Sequence, residues 1–253
     1  MDSFIGGGSM TITLPKPNLR VVEGVTVVED SEIGSKFRIA VPMVEGSLCR
    51  NFFFATSARG ASQLALAQAC IQLDRRLTLY YTDMPETAFT PAMREAQELG
   101  ARIVIVPSDD FSIVSAVAQK NAEEHSGKYI SFDGEDAVQV IAQTAQSLEI
   151  TPDYVWTASA LGGITRGLQR AWDQARHYTV SVVAPPRADY GKATVIYEET
   201  PYVEPVKRQP PISCNPNFEG KAWWQMQAWL DAQKAAGQAP QPHQVIFWNP
   251  AAK

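Results

Sequence analysis

Several residue types that build common functional sites are scarce in this sequence. Its 253 residues include only three cysteines and three histidines. Cys49, Cys70 and Cys214 show no C-x-x-C spacing, which argues against a disulfide framework and against a zinc site. Scattered cysteines of this kind are typical of a reducing compartment, so we expect free thiols and a cytoplasmic location. The histidines are too dispersed for a metal cluster.

Basic residues and long apolar runs are lacking as well. Lysine and arginine total 22 against 27 aspartates and glutamates, which gives a net charge of −5, and no block of basic residues occurs. This balance argues against a nucleic-acid partner. No apolar run approaches the length of a bilayer span, so we expect no membrane partner. Residues 1–10 contain a Gly-Gly-Gly-Ser run without the basic flank of a signal peptide, and we interpret them as a linker or disordered segment.

What remains is the composition of a globular protein, with 45% hydrophobic and 19% charged residues. Short apolar runs alternate with segments of helical spacing, which predicts parallel sheets with helices on both faces. Residues 11–30 predict a strand or hairpin, and residues 191–209 predict an irregular connection. The predicted strands are 51–56, 77–81, 102–106, 154–158, 178–184 and 244–248, and the predicted helices are 63–73, 91–99, 112–122, 136–148, 166–175 and 220–236.

One lysine follows a strand and a turn. Lys36 comes after a valine-rich segment and the pair Gly34-Ser35, and an apolar stretch at 39–44 follows it. Glycine permits a sharp change of backbone direction, so a lysine placed here can project into a cleft. The alternative is an ordinary surface lysine, since lysines are mostly exposed.

Two strand-to-helix turns carry glycine, at residues 57–62 and 159–165. A turn of this kind presents backbone N–H groups and a helix N-terminus, which suit a phosphate. A single amine upstream suits an aldehyde, because an amine and an aldehyde form a Schiff base. A Gly-Gly pair before a helix also occurs as plain close packing, so both interpretations remain open at this point.

Five motifs in fixed order resemble those of a known family. Residues 34–38 (G-S-K-F-R) are similar to G-N-K-x-R, residues 57–63 (S-A-R-G-A-S-Q) to S-S-G-N-H-A-Q, residues 160–168 (A-L-G-G-I-T-R-G-L) to G-S-G-G-T-x-x-G-L, residues 215–222 (N-P-N-F-E-G-K-A) to D-P-V-Y-T-G-K-A, and residues 245–249 (V-I-F-W-N) to the start of V-L-F-I-H-T. They resemble the fold-type II (tryptophan-synthase-β-like) pyridoxal-phosphate enzymes, nearest to the branch of aminocyclopropane-carboxylate deaminase and D-cysteine desulfhydrase.

The resemblance implies pyridoxal 5′-phosphate (PLP) as cofactor and a small amino acid or amino-acid-like adduct as substrate. Elimination, deamination or replacement would proceed through a Lys36 aldimine, with Lys36 also acting as base. Arg59 stands where the branch has a catalytic serine; it would hold a substrate carboxylate, or else cap a helix or face water. The implied cofactor-binding residues are Lys36, Ser57, Gly60, Ser62, Ala160, Leu161, Gly162, Gly163, Ile164, Thr165 and Asn249, the last near the pyridine nitrogen.

The chain also departs from the family pattern. Gly60 and Ala61 replace an asparagine and a histidine, Leu161 and Ile164 replace serine and threonine, and Phe218 replaces an active-site tyrosine. These changes favour a second hypothesis, in which a catalytically altered PLP-fold protein serves as a ligand- or partner-binding module. A third hypothesis is an enzyme acting on a nucleotide-linked amino acid, which the composition neither supports nor excludes.

The implied architecture is a pair of parallel-sheet lobes with the cofactor cleft between them. We expect the larger lobe to contain residues 11–50 and 146–253, and the smaller, inserted lobe to contain residues 51–145. The tryptophans of the last helix predict core packing or a subunit contact, and we expect a homodimer.

Overall fold

A computed structural model describes residues 12–30, 34–58, 60, 62–182, 188–201 and 203–250. The strands are β1 (Asn18–Val22), β2 (Val25–Glu29), β3 (Asn51–Ala55), β4 (Arg76–Tyr81), β5 (Arg102–Ile105), β6 (Lys128–Tyr129), β7 (Tyr154–Ser159), β8 (Arg176–Ser181), β9 (Thr194–Tyr197) and β10 (Val245–Asn249). The helices are α1 (Ser35–Glu45), α2 (Ser62–Gln72), α3 (Pro91–Glu98), α4 (Phe111–Glu124), α5 (Glu135–Gln146), α6 (Gly163–Ala171) and α7 (Glu219–Ala235).

The chain forms two compact units, and its path crosses between them after Pro15, after Ile39 and after Ile130. The unit that we call the core unit contains residues 16–39 and the chain from Ser131 onward, and the unit that we call the inserted unit contains residues 40–130 together with the segment that ends at Pro15. The sequence-based lobe boundaries lie at 50/51 and 145/146, so residues 12–15, 40–50 and 131–145 are assigned differently by the two divisions.

The core unit is built on a six-stranded sheet with the order β1-β2-β10-β7-β8-β9. The β1–β2 pair is antiparallel, and the other four pairings are parallel. Glu23 and Gly24 connect the first two strands with φ angles of 48° and 80°, the left-handed conformation that a two-residue hairpin turn requires. The expected strand or hairpin at 11–30 is therefore a hairpin.

Aromatic side chains fill the space between this sheet and α7. Trp156, Trp223 and Phe247 are almost wholly buried, and the rings of Trp223 and Phe247 meet edge to face with centroids 5.2 Å apart. Trp229 packs on Trp156 and Tyr154 with centroids 5.6 and 4.9 Å away. All three tryptophans of α7 belong to this core or pack against it, which is one of the two roles that we expected.

The inserted unit contains a four-stranded sheet with the order β5-β4-β3-β6, and all three pairings are parallel. Phe53 and Tyr80 on this sheet pack with Val114 and Ala118 of α4 in a buried apolar cluster. The prediction of parallel sheets with covering helices is confirmed for both units. Among the described residues, no helix combines the length and the apolar character needed to cross a bilayer.

The structure differs from the sequence-based predictions at three places: the start of α1, strand β9 and strand β6. Helix α1 begins at Ser35, so Lys36 lies on its first turn rather than in a loop before it. Gly34 has a φ of 73°, and this left-handed residue turns the chain directly into the helix. Strand β9 lies inside the segment 191–209 that we expected to be irregular, because its four residues pair with β8. The two-residue strand β6 was too short to show an apolar pattern.

Helices α5 and α6 approach closely at a glycine. A Cβ atom on Gly167 would lie 2.6 Å from Cβ and Cγ2 of Ile141 and 2.9 Å from the carbonyl oxygen of Val138. Both distances are shorter than a normal van der Waals contact, so the helix pair requires glycine here. This contact fixes the position of α6, whose first turn belongs to the candidate site described below.

We predict that Gly167→Ala destabilises the protein, although alanine favours helix by about 1 kcal/mol. Overpacking against α5 should lower the free energy of unfolding by about 1 to 3 kcal/mol, measured by urea denaturation. Ala116→Gly, on the exposed face of α4, is the control for helix propensity alone, with an expected loss of about 1 kcal/mol. A Gly167→Ala variant as stable as the wild type would contradict the close approach.

Candidate functional site

A buried ion pair fixes the start of α1. Arg38 donates from Nε and from Nη2 to the two carboxylate oxygens of Asp30, at 2.8 and 2.7 Å. Asp30 is 5% exposed and Arg38 is 7% exposed, so the pair is shielded from water. The N–H of Gly34 donates to the carbonyl oxygen of Asp30 at 2.7 Å. The first turn of α1 is therefore tied to the end of β2.

The same turn meets the end of β10. The N–H of Ser35 donates to the carbonyl oxygen of Pro250 at 3.4 Å, one residue after Asn249. Asn249 is 1% exposed, and its Nδ2 donates to the carbonyl oxygen of Ser213 at 2.9 Å. Asn249 Oδ1 and Ser35 Oγ are buried, and neither has a hydrogen-bond partner among the described residues. Buried polar atoms rarely lack a hydrogen-bond partner, so these two oxygen atoms mark a candidate ligand site.

Lys36 projects from this turn into a partly enclosed position. Its Nζ lies 5.2 Å from the centroid of the Phe132 ring. Part of the side chain still touches solvent, yet burial lowers the pKa of Lys36 below its usual value. The negative charges of Asp133 and Glu219 oppose this shift. A lowered pKa increases the fraction of neutral amine at a given pH, and the neutral amine is the nucleophilic form.

Glu219 is the residue that sequence reasoning missed most clearly. It is the first residue of α7, 5% exposed, and its Oε2 has no hydrogen-bond partner among the described residues. Burial raises its pKa to about 7, against the opposing effects of backbone N–H groups and of Lys36. The sequence signal for it is an acidic residue directly before Gly220 in the motif at 215–222, next to Phe218, the position of the family's tyrosine.

The turn between β7 and α6 contains the two glycines of the predicted phosphate-binding motif. Gly162 adopts a φ of 97°, and its N–H donates to Ser159 Oγ at 3.0 Å. The hydroxyl of Tyr190 donates to the carbonyl oxygen of Ala160 at 2.9 Å. Leu161 is 47% exposed. The turn is thus held by hydrogen bonds on both sides of an exposed apolar side chain.

Protein groups also approach both glycines. A Cβ atom on Gly162 would collide with the carbonyl oxygen of Asp189, and one on Gly163 would lie 2.9 Å from the carbonyl oxygen of Phe132. The same Cβ would lie 3.3 Å from Oδ1 of Asp133. Glycine is required here for close packing, the alternative that the sequence left open, whether or not the amides also bind a ligand.

The neighbouring side chains of α6 point elsewhere. Thr165 is buried and its hydroxyl lies 2.9 Å from that of Thr179 on β8, so it already has a protein partner. Ile164 lines a void of about 10 Å³ together with Ser35, Arg38 and Trp248. The side chain of Ile164 therefore packs next to the start of α1.

In the core unit, the structure brings together four predicted site regions: the Lys36 turn, the α6 start, the loop before α7 and the end of β10. Phe132 and Asp133 connect the first two, because Phe132 contacts Lys36 and both residues lie against Gly163. Neither residue was predicted. The sequence offered no signal for them beyond their place directly before helix α5.

The predicted site residues Ser57, Gly60 and Ser62 lie in the inserted unit. Ser57 is exposed, Ser62 begins α2, and the N–H of Gly60 donates to the carbonyl oxygen of Ser57 at 3.0 Å. Arg59 falls outside the described residues. The roles of all four stay predictions.

The carbonyl oxygen of Ala58 anchors this loop. It accepts from Gln63 Nε2 at 3.0 Å and from Thr90 Oγ1 at 2.9 Å. Gln63 is wholly buried, and its Oε1 accepts from the hydroxyl of Tyr81. The position of the main chain is therefore set by residues of the following helix and of two further segments.

Searches by sequence found neither a matching family model nor a matching curated protein. Searches by structure found clear matches. A homologue of ACC deaminase is similar with a TM-score of 0.71 at 11% identity, covering 96% of this chain and 90% of that one. Threonine deaminase isoform 2 of Solanum lycopersicum is similar with a TM-score of 0.65 at 12% identity, covering 94% and 79%.

Diaminopropionate ammonia lyase of Escherichia coli is similar with a TM-score of 0.62 at 14% identity, covering 95% of this chain and 83% of that one. That enzyme has also been solved in complex with D-serine and with an aminoacrylate–PLP azomethine reaction intermediate. At these identities the matches show the fold of this chain, which is the fold-type II arrangement that the motifs predicted.

We predict that Asp30→Asn lowers the free energy of unfolding by about 3 to 5 kcal/mol, because it leaves the buried guanidinium of Arg38 without a counter-charge. Chemical denaturation measures the loss. The matched control is Asp231→Asn, which breaks an exposed ion pair with Lys234 at 3.7 Å and should cost less than about 1 kcal/mol. Equal effects of the two substitutions would contradict the role given to the buried pair.

The raised pKa of Glu219 predicts a pH dependence of stability. The folded protein holds this proton up to about pH 7, whereas the ordinary pKa is 4.5. The contribution of Glu219 to stability is therefore fully present below pH 4.5 and is lost as pH rises toward 7. Glu219→Gln should remove this loss, so the variant gains stability relative to wild type between pH 4.5 and 7.

Denaturation curves of the two proteins at several pH values test this prediction. Glu124→Gln, an exposed carboxylate on α4, is the control and should follow the wild type throughout. A stability difference between Glu219→Gln and wild type that stays constant from pH 4 to pH 8 would show that the carboxyl titrates normally.

Proposed function

We propose that this chain, which has the fold of PLP-dependent lyases and deaminases, is itself a PLP-dependent enzyme acting on a small amino acid or an amino-acid-like adduct. The observation that carries the proposal is the desolvated Lys36 amine on the first turn of α1, which lies 5.2 Å from the centroid of the Phe132 ring and interacts electrostatically with the carboxyl groups of Asp133 and Glu219. The reaction type, whether elimination, deamination or replacement, is part of the proposal.

The residues of the core unit fit such a cofactor. Two buried oxygen atoms without described partners, Glu219 Oε2 and Asn249 Oδ1, are suited to a ligand that carries a polar ring atom. The first N–H groups of a helix have no partner within the helix, and a helix start such as that of α6 is the usual place for a phosphate. Lys36 would hold the aldehyde end, the α6 turn the phosphate, and Asn249 or Glu219 the ring nitrogen.

When bound, PLP supplies an aldehyde for covalent attachment and a ring that takes up electrons from the substrate. The protein supplies the amine and the proton carriers. The lowered pKa of Lys36 makes its amine available as a nucleophile and afterwards as a base. Glu219, with a pKa of about 7, can hold a proton or release it near neutral pH.

Recognition of the substrate is assigned by the resemblance to the loop at 57–62. Arg59 would hold the substrate carboxylate through its planar guanidinium. In this loop, the carbonyl oxygen of Ala58 is held by two donors, Gln63 and Thr90, from outside the loop. A homodimer in the cytoplasm also remains part of the proposal.

A second candidate function has support of its own. Phe218 lacks the hydroxyl of the family's tyrosine, and the Thr165 hydroxyl bonds Thr179. These features favour a protein that binds PLP or a related ligand without turning over amino acids. It would show the spectrum of the bound cofactor and no activity on any amino acid tested.

We predict that PLP added to the purified protein gives a visible absorption band, which borohydride removes while fixing the cofactor on Lys36. Mass mapping of peptides identifies the labelled lysine. Lys36→Ala should lose both band and label. Lys192→Ala, an exposed lysine of the core unit, should keep them.

Three results would count against the proposal: no band with added cofactor, a label on a different lysine, or an unchanged band in Lys36→Ala. A correct label with no release of ammonia, keto acid or exchanged product from any amino acid would select the second candidate function.

A further inference from the structure

Asp133 occupies an unusual position for a phosphate site. Its Cα would lie 3.0 Å, and its Oδ1 3.3 Å, from a Cβ on Gly163, the first residue of α6. A carboxyl group thus lies beside the helix start where the predicted phosphate would bind. A helix N-terminus carries a partial positive charge and stabilises one nearby anion. A phosphate bound at the same place would be repelled by the Asp133 carboxylate.

Arg166, on the first turn of α6, is engaged by protein acceptors through both of its terminal nitrogens. Arg166 donates from Nη2 to the carbonyl oxygen of Asp133 at 2.5 Å. Its Nη1 lies 3.5 Å from Oδ2 of Asp189, the residue whose carbonyl oxygen faces Gly162. Arg166 therefore bridges the two segments that pack on the glycines.

The Asp133 carboxyl also interacts with Lys36. Burial raises the pKa of Asp133, and the positive charges of Lys36 and Arg166 oppose this rise. The carboxyl is thus coupled to the amine at the aldehyde end of the proposed ligand and lies against the helix at its phosphate end. The Asp133 side chain can therefore change how the affinity of the site depends on the charge of the ligand.

We infer that Asp133 is a specificity-determining residue that weakens the binding of a doubly charged phosphate at the start of α6 and leaves the binding of an uncharged ring unaffected. This inference rests on the proposed function. Compared with a cup of neutral residues, the site should discriminate less between phosphorylated and unphosphorylated forms of the cofactor. Removing the charge of Asp133 should restore that discrimination.

The test uses two alcohols that cannot react with Lys36 because they lack the aldehyde: pyridoxine 5′-phosphate and pyridoxine. Isothermal titration calorimetry at pH 8 gives the Kd of each for wild type and for Asp133→Asn, which keeps the shape of the side chain. Asp173→Asn is the matched control, because Asp173 is exposed and follows the opposite end of α6.

We expect Asp133→Asn to bind pyridoxine 5′-phosphate about tenfold more tightly than wild type, as Coulomb's law gives for charges several ångströms apart in a partly solvated site. Pyridoxine should bind both proteins equally, and this equality also shows that the variant is folded. Asp173→Asn should match the wild type for both compounds.

The failures are distinguishable. Equal affinity of wild type and Asp133→Asn for pyridoxine 5′-phosphate overturns the inference and leaves the proposed function intact. A gain for pyridoxine as large as that for its phosphate also overturns it, because the effect would not depend on ligand charge. If neither compound binds any of the proteins and PLP gives no band, the proposed function itself fails.

Discussion

The ion pair between Asp30 and Arg38 is the constraint on which the candidate site depends. Two buried charges of opposite sign are tolerated only when they are paired and well hydrogen-bonded, and here both carboxylate oxygens are used. The pair lies between the end of β2 and the second turn of α1. It therefore fixes the start of the helix that carries Lys36 relative to the end of β2.

A second group of buried charges depends on this geometry. Lys36 meets Asp133 and Glu219, which come from segments far apart in sequence. Each charge would be costly to bury alone, and the Lys36 ammonium lowers this cost for both carboxylates, as they do for it. The result is a set of groups with perturbed pKa values in one place, which is typical of functional sites and less typical of surface ion pairs.

The sequence predicted the sheets, most of the helices, and the lysine turn and β10 end that meet in the core unit, because apolar periodicity and motif order are properties of the chain itself. The sequence could not predict which residues surround the lysine turn and the end of β10. Phe132 and Asp133 carry no motif, and the motif position of Glu219 gives no sign that its carboxyl group is buried. The bond of Thr165 to Thr179 depends on strand register, which no local pattern encodes.

The anchoring of the Ala58 carbonyl has a consequence for how this protein can diversify. Gln63 and Thr90 hold the main chain at that point, and the hydroxyl of Tyr81 supports Gln63 from a neighbouring strand. Because these supports come from outside the loop, Ser57 can be exchanged without loss of the bonds that hold Ala58. A single replacement of the exposed Ser57 thus changes the chemistry of this surface with little penalty to folding.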